Sequence, residues 1–272
     1  MMNLIINISE VAIITGDNIY KTKRDYLIDF WKKNNGADFE KFKKITEFTK
    51  DTDEEIIKKI SVKNNIDITS ELKICSKSSD ITELNSLKRK MINQMDGLSE
   101  KDKKELTKSV MNVTNTKFGI KNENDVTKLY ESSTGNNIIK DNKYHKTKIY
   151  SVDDFTIFIG GKIDGINSET GSIIEVKNRV NKLFFTLRDY EKVQITCYMF
   201  LFGSSKGHLV EAYRKKDGTD INIIEVNFDE DYMSYIFNKI ILFGKYYSKF
   251  IKDDTLKMQV LKCMDEIDFS VN

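Results

Sequence analysis

Asp164, Glu175 and Lys177 are the residues of this chain whose types and spacing could do chemistry. Phe155 to Ile163 is rich in β-branched and aromatic residues, Asn167 to Gly171 is turn-forming, and Ser172 to Val176 is apolar again. That pattern predicts a β-hairpin. On its second strand, alternation puts Ile173, Glu175 and Lys177 on one face and Ile174 and Val176 on the other. A carboxylate and an ammonium then share a face of an otherwise apolar strand, which is costly unless they pair or coordinate a metal. Asp164, at the end of the preceding strand, brings a second carboxylate alongside. Two carboxylates and a lysine at strand ends suit a hard cation and phosphodiester chemistry.

The elements that must position these groups are legible on both sides. Upstream, Asn122 to Ser132 reads as a helix with Val126, Leu129 and Tyr130 on one face and Gly135 as its stop. Glu123 lies in its first turn, where a carboxylate by itself complements the helix dipole. Downstream, Thr186 to Phe202 is a strongly apolar helix carrying Gln194 and Tyr198 four apart on one face. A buried glutamine must find hydrogen-bond partners, so Gln194 is a satisfied core amide or a site residue. His208 to Tyr213 and Asn222 to Phe228 then read as a hairpin about Lys215 to Gly218. Asp229 or Glu230 opens a long amphipathic helix to about Lys252, followed by one more short helix.

The N-terminal part reads as helical. Residues 8 to 34 form two pieces capped by Ser9 and Thr22 and broken at Gly16-Asp17-Asn18, the second carrying Tyr26, Leu27, Phe30 and Trp31. Lys21, Lys23 and Arg24 at its start are either a phosphate-gripping cluster or a solvated face. From Gly36 to about Lys108 the chain is polar and charged. Asp53 to Ile60 and Asp80 to Met95 are amphipathic, and Ser99 with Asp102 resembles a capping box opening a helix from about Glu100. This stretch is expected to be a helical insertion or lid.

Composition sets bounds. Of 272 residues, 39% are apolar and 11% aromatic, enough for a core. Lys+Arg 44 against Asp+Glu 42 leaves a net charge of +2, so nucleic-acid binding would need a local basic patch rather than overall charge. Cys75, Cys197 and Cys263 are odd in number and scattered, which argues against a disulfide scaffold or zinc site and suits a reducing, intracellular compartment. The first residues lack a signal-peptide pattern, and no run of about 18 apolar residues predicts a membrane span.

Order and context sharpen the chemistry. Phe118-Gly119-Ile120-Lys121-Asn122-Glu123 is followed by Leu129-Tyr130-Glu131 and Thr134-Gly135, then Gly161-Lys162-Ile163-Asp164-Gly165, Glu175-Val176-Lys177 and Gln194 to Tyr198. This ordered set resembles the PD-(D/E)XK nuclease superfamily, and within it the lambda-exonuclease / YqaJ viral recombinase family. Ser9-Glu10-Val11-Ala12 with Gly16 to Thr22 is similar to the N-terminal helix and Gly-x-Asn-Pro-Tyr loop of YqaJ-type proteins, with Ile19 in place of the proline. The match covers roughly residues 8–34 and 116–228.

The resemblance implies an α/β (α+β) fold with a restriction-endonuclease-like core. Its central mixed sheet of four to five strands is flanked by helices, with residues 1–115 as an N-terminal helical region (enlarged at about 36–108) and 116–272 as the nuclease core. It also implies a hydrolase working with two Mg²⁺ or Mn²⁺ ions, held by Asp164, Glu175, the Val176 carbonyl and Glu123. Lys177 would orient or help deprotonate the attacking water, Gln194 would position Lys177 or the scissile strand, and Tyr198 would support packing or touch DNA. Lys21, Lys23 and Arg24 become candidate phosphate contacts. The expected activity is DNA exonuclease at duplex ends, 5′→3′ by family analogy, in viral or mobile-element recombination or replication. A single-strand annealing protein and self-association are the further partners such a family brings. A structure- or sequence-specific endonuclease and a catalytically silent DNA-binding scaffold are the rival readings.

Overall fold

The computed structural model describes residues 1–75, 81–215, 218–262 and 267–270, with Ile120 and Lys121 described in main chain only. Asp80, the turn positions Lys216 and Asp217, and Cys263 lie outside the described residues. Strand β1 (Met2–Asn7) leads through a short 3-10 turn into α1 (Val11–Thr15). Then come α2 (Lys23–Asn34), α3 (Gly36–Thr46), α4 (Asp53–Asn64), α5 (Thr69–Cys75), α6 (Ile81–Asn93), α7 (Glu100–Lys121) and α8 (Glu123–Thr134). The strands follow: β2 (Ile138–Ile139), β3 (His145–Ser151), β4 (Phe155–Gly161), β5 (Gly165–Asn167) and β6 (Ile173–Arg179). Helix α9 (Asp189–Phe202), β7 (Lys206–Lys215), β8 (Gly218–Asn227), α10 (Glu230–Phe250) and α11 (Asp254–Lys262) complete the elements of the described residues.

The strands form two mixed sheets, one of three strands in the order β1-β4-β3 and one of five in the order β2-β5-β6-β7-β8. The α/β class and the five-stranded mixed sheet are as expected from sequence. The single hairpin across residues 155–176 is not. Strand β4 pairs with β1 in parallel and with β3 antiparallel, whereas β6 pairs antiparallel with the short β5 and parallel with β7. The chain steps from one sheet to the other at Lys162 to Asp164, where Gly165 resumes pairing opposite Ile174. The apolar run reads as one strand because burial on both faces hides the sheet change. Strands β1 and β3 are not legible in the sequence for related reasons. Strand β1 lies beside a helical pattern, and β3 is a polar run half-exposed along its length.

The hydrophobic side chains gather in separate clusters. Leu4, Ile6, Tyr26, Phe30 and Trp31 share one core with Ile157, Ile159, Phe243, Tyr247 and Phe250. Thr22 caps α2 through its Oγ1, which accepts the Asp25 N–H at 3.0 Å, and the aromatic stripe of α2 meets α10 in edge-to-face pairs such as Phe30–Tyr247 at 4.9 Å. Ser9, expected as a cap, instead lies inside the 3-10 turn. Residues Ile57 to Phe118 bury their apolar face in a separate cluster within α4 to α7. Ser99 does cap α7, accepting from the Asp102 N–H at 3.2 Å. That helical region is fastened to the five-stranded sheet at Asn178, whose Nδ2 donates to the Gly119 carbonyl at 2.9 Å.

Candidate active site

On β6, alternation sends Glu175, Lys177 and Arg179 to one face, and α9 crosses that face on its way from β6 to β7. Parallel neighbours need such a crossover, so the helix that returns the chain is also the one that covers the site. Gln194 on α9 closes a three-membered polar ring. Lys177 Nζ donates to Glu175 Oε1 at 2.8 Å and to Gln194 Oε1 at 3.1 Å, and Gln194 Nε2 donates to Glu175 Oε1 at 2.8 Å. Glu175 is buried and Lys177 is about a quarter exposed along its side chain. Burial pushes the Lys177 ammonium down, but the Glu175, Asp164 and Glu191 carboxylates outweigh it and raise its pKa above the ordinary lysine value.

Asp164 stands at the step between sheets, where its Oδ2 accepts the Val176 N–H at 2.7 Å. In a strand the N–H and C=O of one residue point to the same edge, so the Val176 carbonyl also faces the Asp164 side. Burial, with the neighbouring Glu175 and then Glu123 carboxylates, pushes Asp164 up to about 8 against the pull of the Val176 N–H. Glu123 opens α8 and is raised by burial and by Glu175, with Lys177 and Lys140 pulling the other way. Among the described residues, Asp164 Oδ1, Glu175 Oε2 and the Glu123 carboxylate take no protein hydrogen bond. Glu175 and Glu123 thus lie near enough to Asp164 to oppose its ionisation, and a cation there would favour the ionised form.

The donor set is all oxygen, which suits Mg²⁺ or Mn²⁺. Among the described residues, no group of three or more His, Cys, Asp or Glu side chains is arranged to hold a metal ion by itself. Mg²⁺ does not need one, because it keeps several waters and uses one or two carboxylates together with substrate phosphates. The residues therefore fit a hard divalent ion in an open site.

Tyr198 is buried behind this group. Its ring packs so close to Gly161 that a Cβ there would lie 2.9 Å from Tyr198 Cε1 and Oη. That position makes it a packing residue rather than a direct DNA contact. The N-terminal basic cluster is also spoken for in part. Arg24 Nε and Nη2 donate to the Val260 and Leu261 carbonyls at 2.7 and 3.1 Å, closing the end of α11. Lys21 pairs with Asp29 at 2.9 Å, and Lys23 lies over the Phe269 ring at 5.9 Å. None of the three touches the acidic cluster, so the geometry gives Arg24 a structural duty rather than a phosphate.

Two supporting networks escaped the sequence reading. Arg179 donates to Glu191 Oε1 and Oε2 at 2.7 and 3.1 Å and, through Nε, to Glu211 Oε1 at 2.8 Å, with both carboxylates fully buried. It fixes α9 over β6 one helical turn before Gln194. On the other side, Asn167 Nδ2 donates to the Tyr130 hydroxyl at 3.0 Å, which lies 2.7 Å from His208 Nδ1. That contact pins α8, and hence Glu123, to β5 and β7. Arg179 could have been found as the next same-face residue after Lys177; no local signal marks Asn167 or His208.

No protein-family model matches this sequence, and no curated protein matches it. Among solved structures, the chain is similar to a protein described as SSO0001, at 19% identity over 62% of this chain and 80% of that one, with a TM-score of 0.39. It is also similar to a phage-related exonuclease from Haemophilus somnus 129PT, at 16% identity over 62% and 83% of the two chains and a TM-score of 0.40. A third is the alkaline exonuclease LHK-Exo from Laribacter hongkongensis, at 14% identity over 68% and 93% and a TM-score of 0.38. These likenesses are partial overlaps of chain path. Function has to come from the site's own groups.

Proposed function

We propose that this protein is a metal-dependent deoxyribonuclease that hydrolyses phosphodiester bonds at the ends of duplex DNA. The observation that carries the reading is Lys177 Nζ, held at 2.8 Å from Glu175 Oε1 and 3.1 Å from Gln194 Oε1 beside the half-buried Asp164 carboxyl group. An ammonium paired with one carboxylate, with a second carboxyl group beside it that has no cationic partner of its own, is a donor set suited to hydrolysis of a phosphodiester.

Asp164 and Glu175, with the Val176 carbonyl and Glu123 beside them, would hold one or two Mg²⁺ or Mn²⁺ ions. Such an ion, when bound, supplies Lewis-acid stabilisation of the phosphate oxygens and makes water a better nucleophile. Lys177 is a donor with no acceptor capacity while it is charged. It therefore orients the attacking water through its lone pairs and neutralises charge that grows on the phosphate. Gln194 keeps that ammonium aimed: its carbonyl accepts a hydrogen bond from Nζ while its amide donates one to Glu175. Glu175 has two duties, one oxygen for the ammonium and the other directed away from it.

Exonuclease action, 5′→3′ polarity and a place in viral or mobile-element recombination extend this reading through the family resemblance. So do an annealing-protein partner and self-association. An end-labelled linear duplex and a closed circular duplex, each incubated with Mg²⁺ or Mn²⁺, test it. Loss of the linear duplex with the circle intact is expected; nicking of the circle would make the enzyme an endonuclease, and no hydrolysis with either ion would overturn the proposal.

A further inference from the structure

The segment joining β6 to α9 carries a side chain that the chemistry above does not use. Phe185 is 67% exposed and adopts φ +59°, the left-handed region that a bulky residue seldom occupies. Isolated exposed apolar residues are ordinary on protein surfaces. This one differs in how it is held. Glu211, fully buried on β7, accepts the Phe184 and Phe185 N–H groups at 3.2 and 2.9 Å through its two carboxylate oxygens. The preceding ring, Phe184, is clamped between the Arg179 and Arg188 guanidiniums, 4.3 and 4.4 Å from its centroid. A buried carboxylate and two arginines thus fix the backbone under a ring that itself points to solvent. Strain kept in place by such surroundings is a pointer to function.

The location narrows what the ring could meet. Glu211 is the register partner of Lys177 across the β6–β7 ladder, and Arg179 follows Lys177 on the same strand face. Phe185 is therefore anchored to the immediate neighbours of the proposed catalytic lysine, and Lys182 and Arg188, both exposed, flank it in sequence. A rigid aromatic face with cations beside it, next to a phosphodiester site, matches the chemistry of an unpaired nucleobase, whose π-face stacks without regard to sequence.

We propose that Phe185 is a substrate-binding residue that stacks on an unpaired base of the strand being cut, one or two nucleotides from the scissile phosphate. This rests on the nuclease reading, and its test separates the two. The full-length protein and its Phe185→Ala and Phe185→Trp variants are compared on linear duplexes whose cut strand ends in normal nucleotides or in two abasic ones. Phe185→Ala is expected to lower kcat/KM on normal DNA by about 5- to 150-fold, the contribution of one base–aromatic stack. On the abasic substrate the variant should lie within roughly twofold of wild type, the usual additivity error, and Phe185→Trp should recover activity on normal DNA.

An unchanged rate on normal DNA, or an equal loss on both substrates, would overturn the stacking role. Folding is not at stake, because alanine meets the same φ at an exposed position; thermal melts check this. If wild type cuts neither substrate, the nuclease reading fails by itself. Stacking is then read from 2-aminopurine at the strand end without divalent cation. Quenching that disappears in Phe185→Ala and returns in Phe185→Trp supports it, and quenching independent of Phe185 overturns it.

Discussion

Replacing Arg179 by methionine should destabilise the fold and silence the site together, although Arg179 touches neither Asp164 nor Glu175 by hydrogen bond. The guanidinium makes four contacts of 3.1 Å or less to two carboxylates, Glu191 and Glu211, that have no exposed surface. Removing it leaves two buried charges uncompensated. Breaking a buried pair from one side costs about 3–5 kcal/mol. For a chain of this size each kcal/mol moves Tm by about 2–4 °C, so the melt should fall by roughly 6–20 °C.

The pH dependence fixes the cause. Burial raises Glu211, but the Asn222 side chain, the Phe185 N–H and Arg179 more than offset it and hold its pKa below the ordinary glutamate value of 4.5. In the wild type this carboxylate therefore stabilises the fold above pH 4.5 and loses that contribution as pH falls. In Arg179→Met, Glu211 loses this counter-charge and takes up a proton more readily. Its penalty is then full near pH 7 and fades towards pH 4.5 and below. Urea unfolding followed by circular dichroism at pH 7 and pH 4.5 should show the gap between wild type and variant shrinking on acidification. A gap under about 1 kcal/mol at pH 7, or one of equal size at both pH values, would refute the reasoning, because an unpaired buried charge would then be absent.

Three further outcomes follow from particular contacts. Gln194→Ala should lower kcat by about 10²-fold or more with little change in KM, since it frees the Lys177 ammonium and the Glu175 carboxylate from their shared clamp rather than removing a DNA contact; steady-state kinetics on duplex ends would check this. Gly161→Ala should displace Tyr198, whose ring leaves no space for the new methyl, and cost about 1–3 kcal/mol in urea unfolding along with activity. Lys88, 4% exposed in the helical region and bonded to Asn115 Oδ1 at 2.5 Å, has its pKa lowered by burial, so its charge opposes folding near neutral pH. Lys88→Met should therefore raise Tm, and the gain over wild type should narrow as pH rises towards 10.5 and the lysine charge is lost; a Tm below wild type at pH 7 would contradict it.

The site was legible in the sequence to the extent that its residues sit on regular elements. Glu175 and Lys177 follow from strand alternation, whereas helical position leaves Gln194 open as a core amide or a site residue and makes Glu123 an ordinary first-turn carboxylate, so those two enter the site only through the ordered motifs of the family resemblance. The sheet change at Asp164 is not legible, because Phe155 to Ile163 is largely apolar, broken only by Thr156 and Lys162, and such a run does not say which partners it pairs with. The roles of Arg24 and Tyr198 were also hidden. A surface-like arginine that closes the end of α11 depends on residues more than 230 positions away. Tyr198 is excluded from DNA only by the close approach of Gly161, which spacing along α9 cannot reveal. The Arg179–Glu191–Glu211 and Tyr130–Asn167–His208 networks join elements distant in sequence, and such contacts leave no local pattern.

The most direct test of the site is a comparison of wild type with Lys177→Met and Asp164→Asn on an end-labelled linear duplex in Mg²⁺, with circular dichroism melts run beside it. Wild type should release nucleotides while both variants lose at least about 10²-fold in kcat and keep a cooperative melt. Full hydrolysis by both folded variants would contradict the assignment of Asp164 and Lys177 to the chemistry.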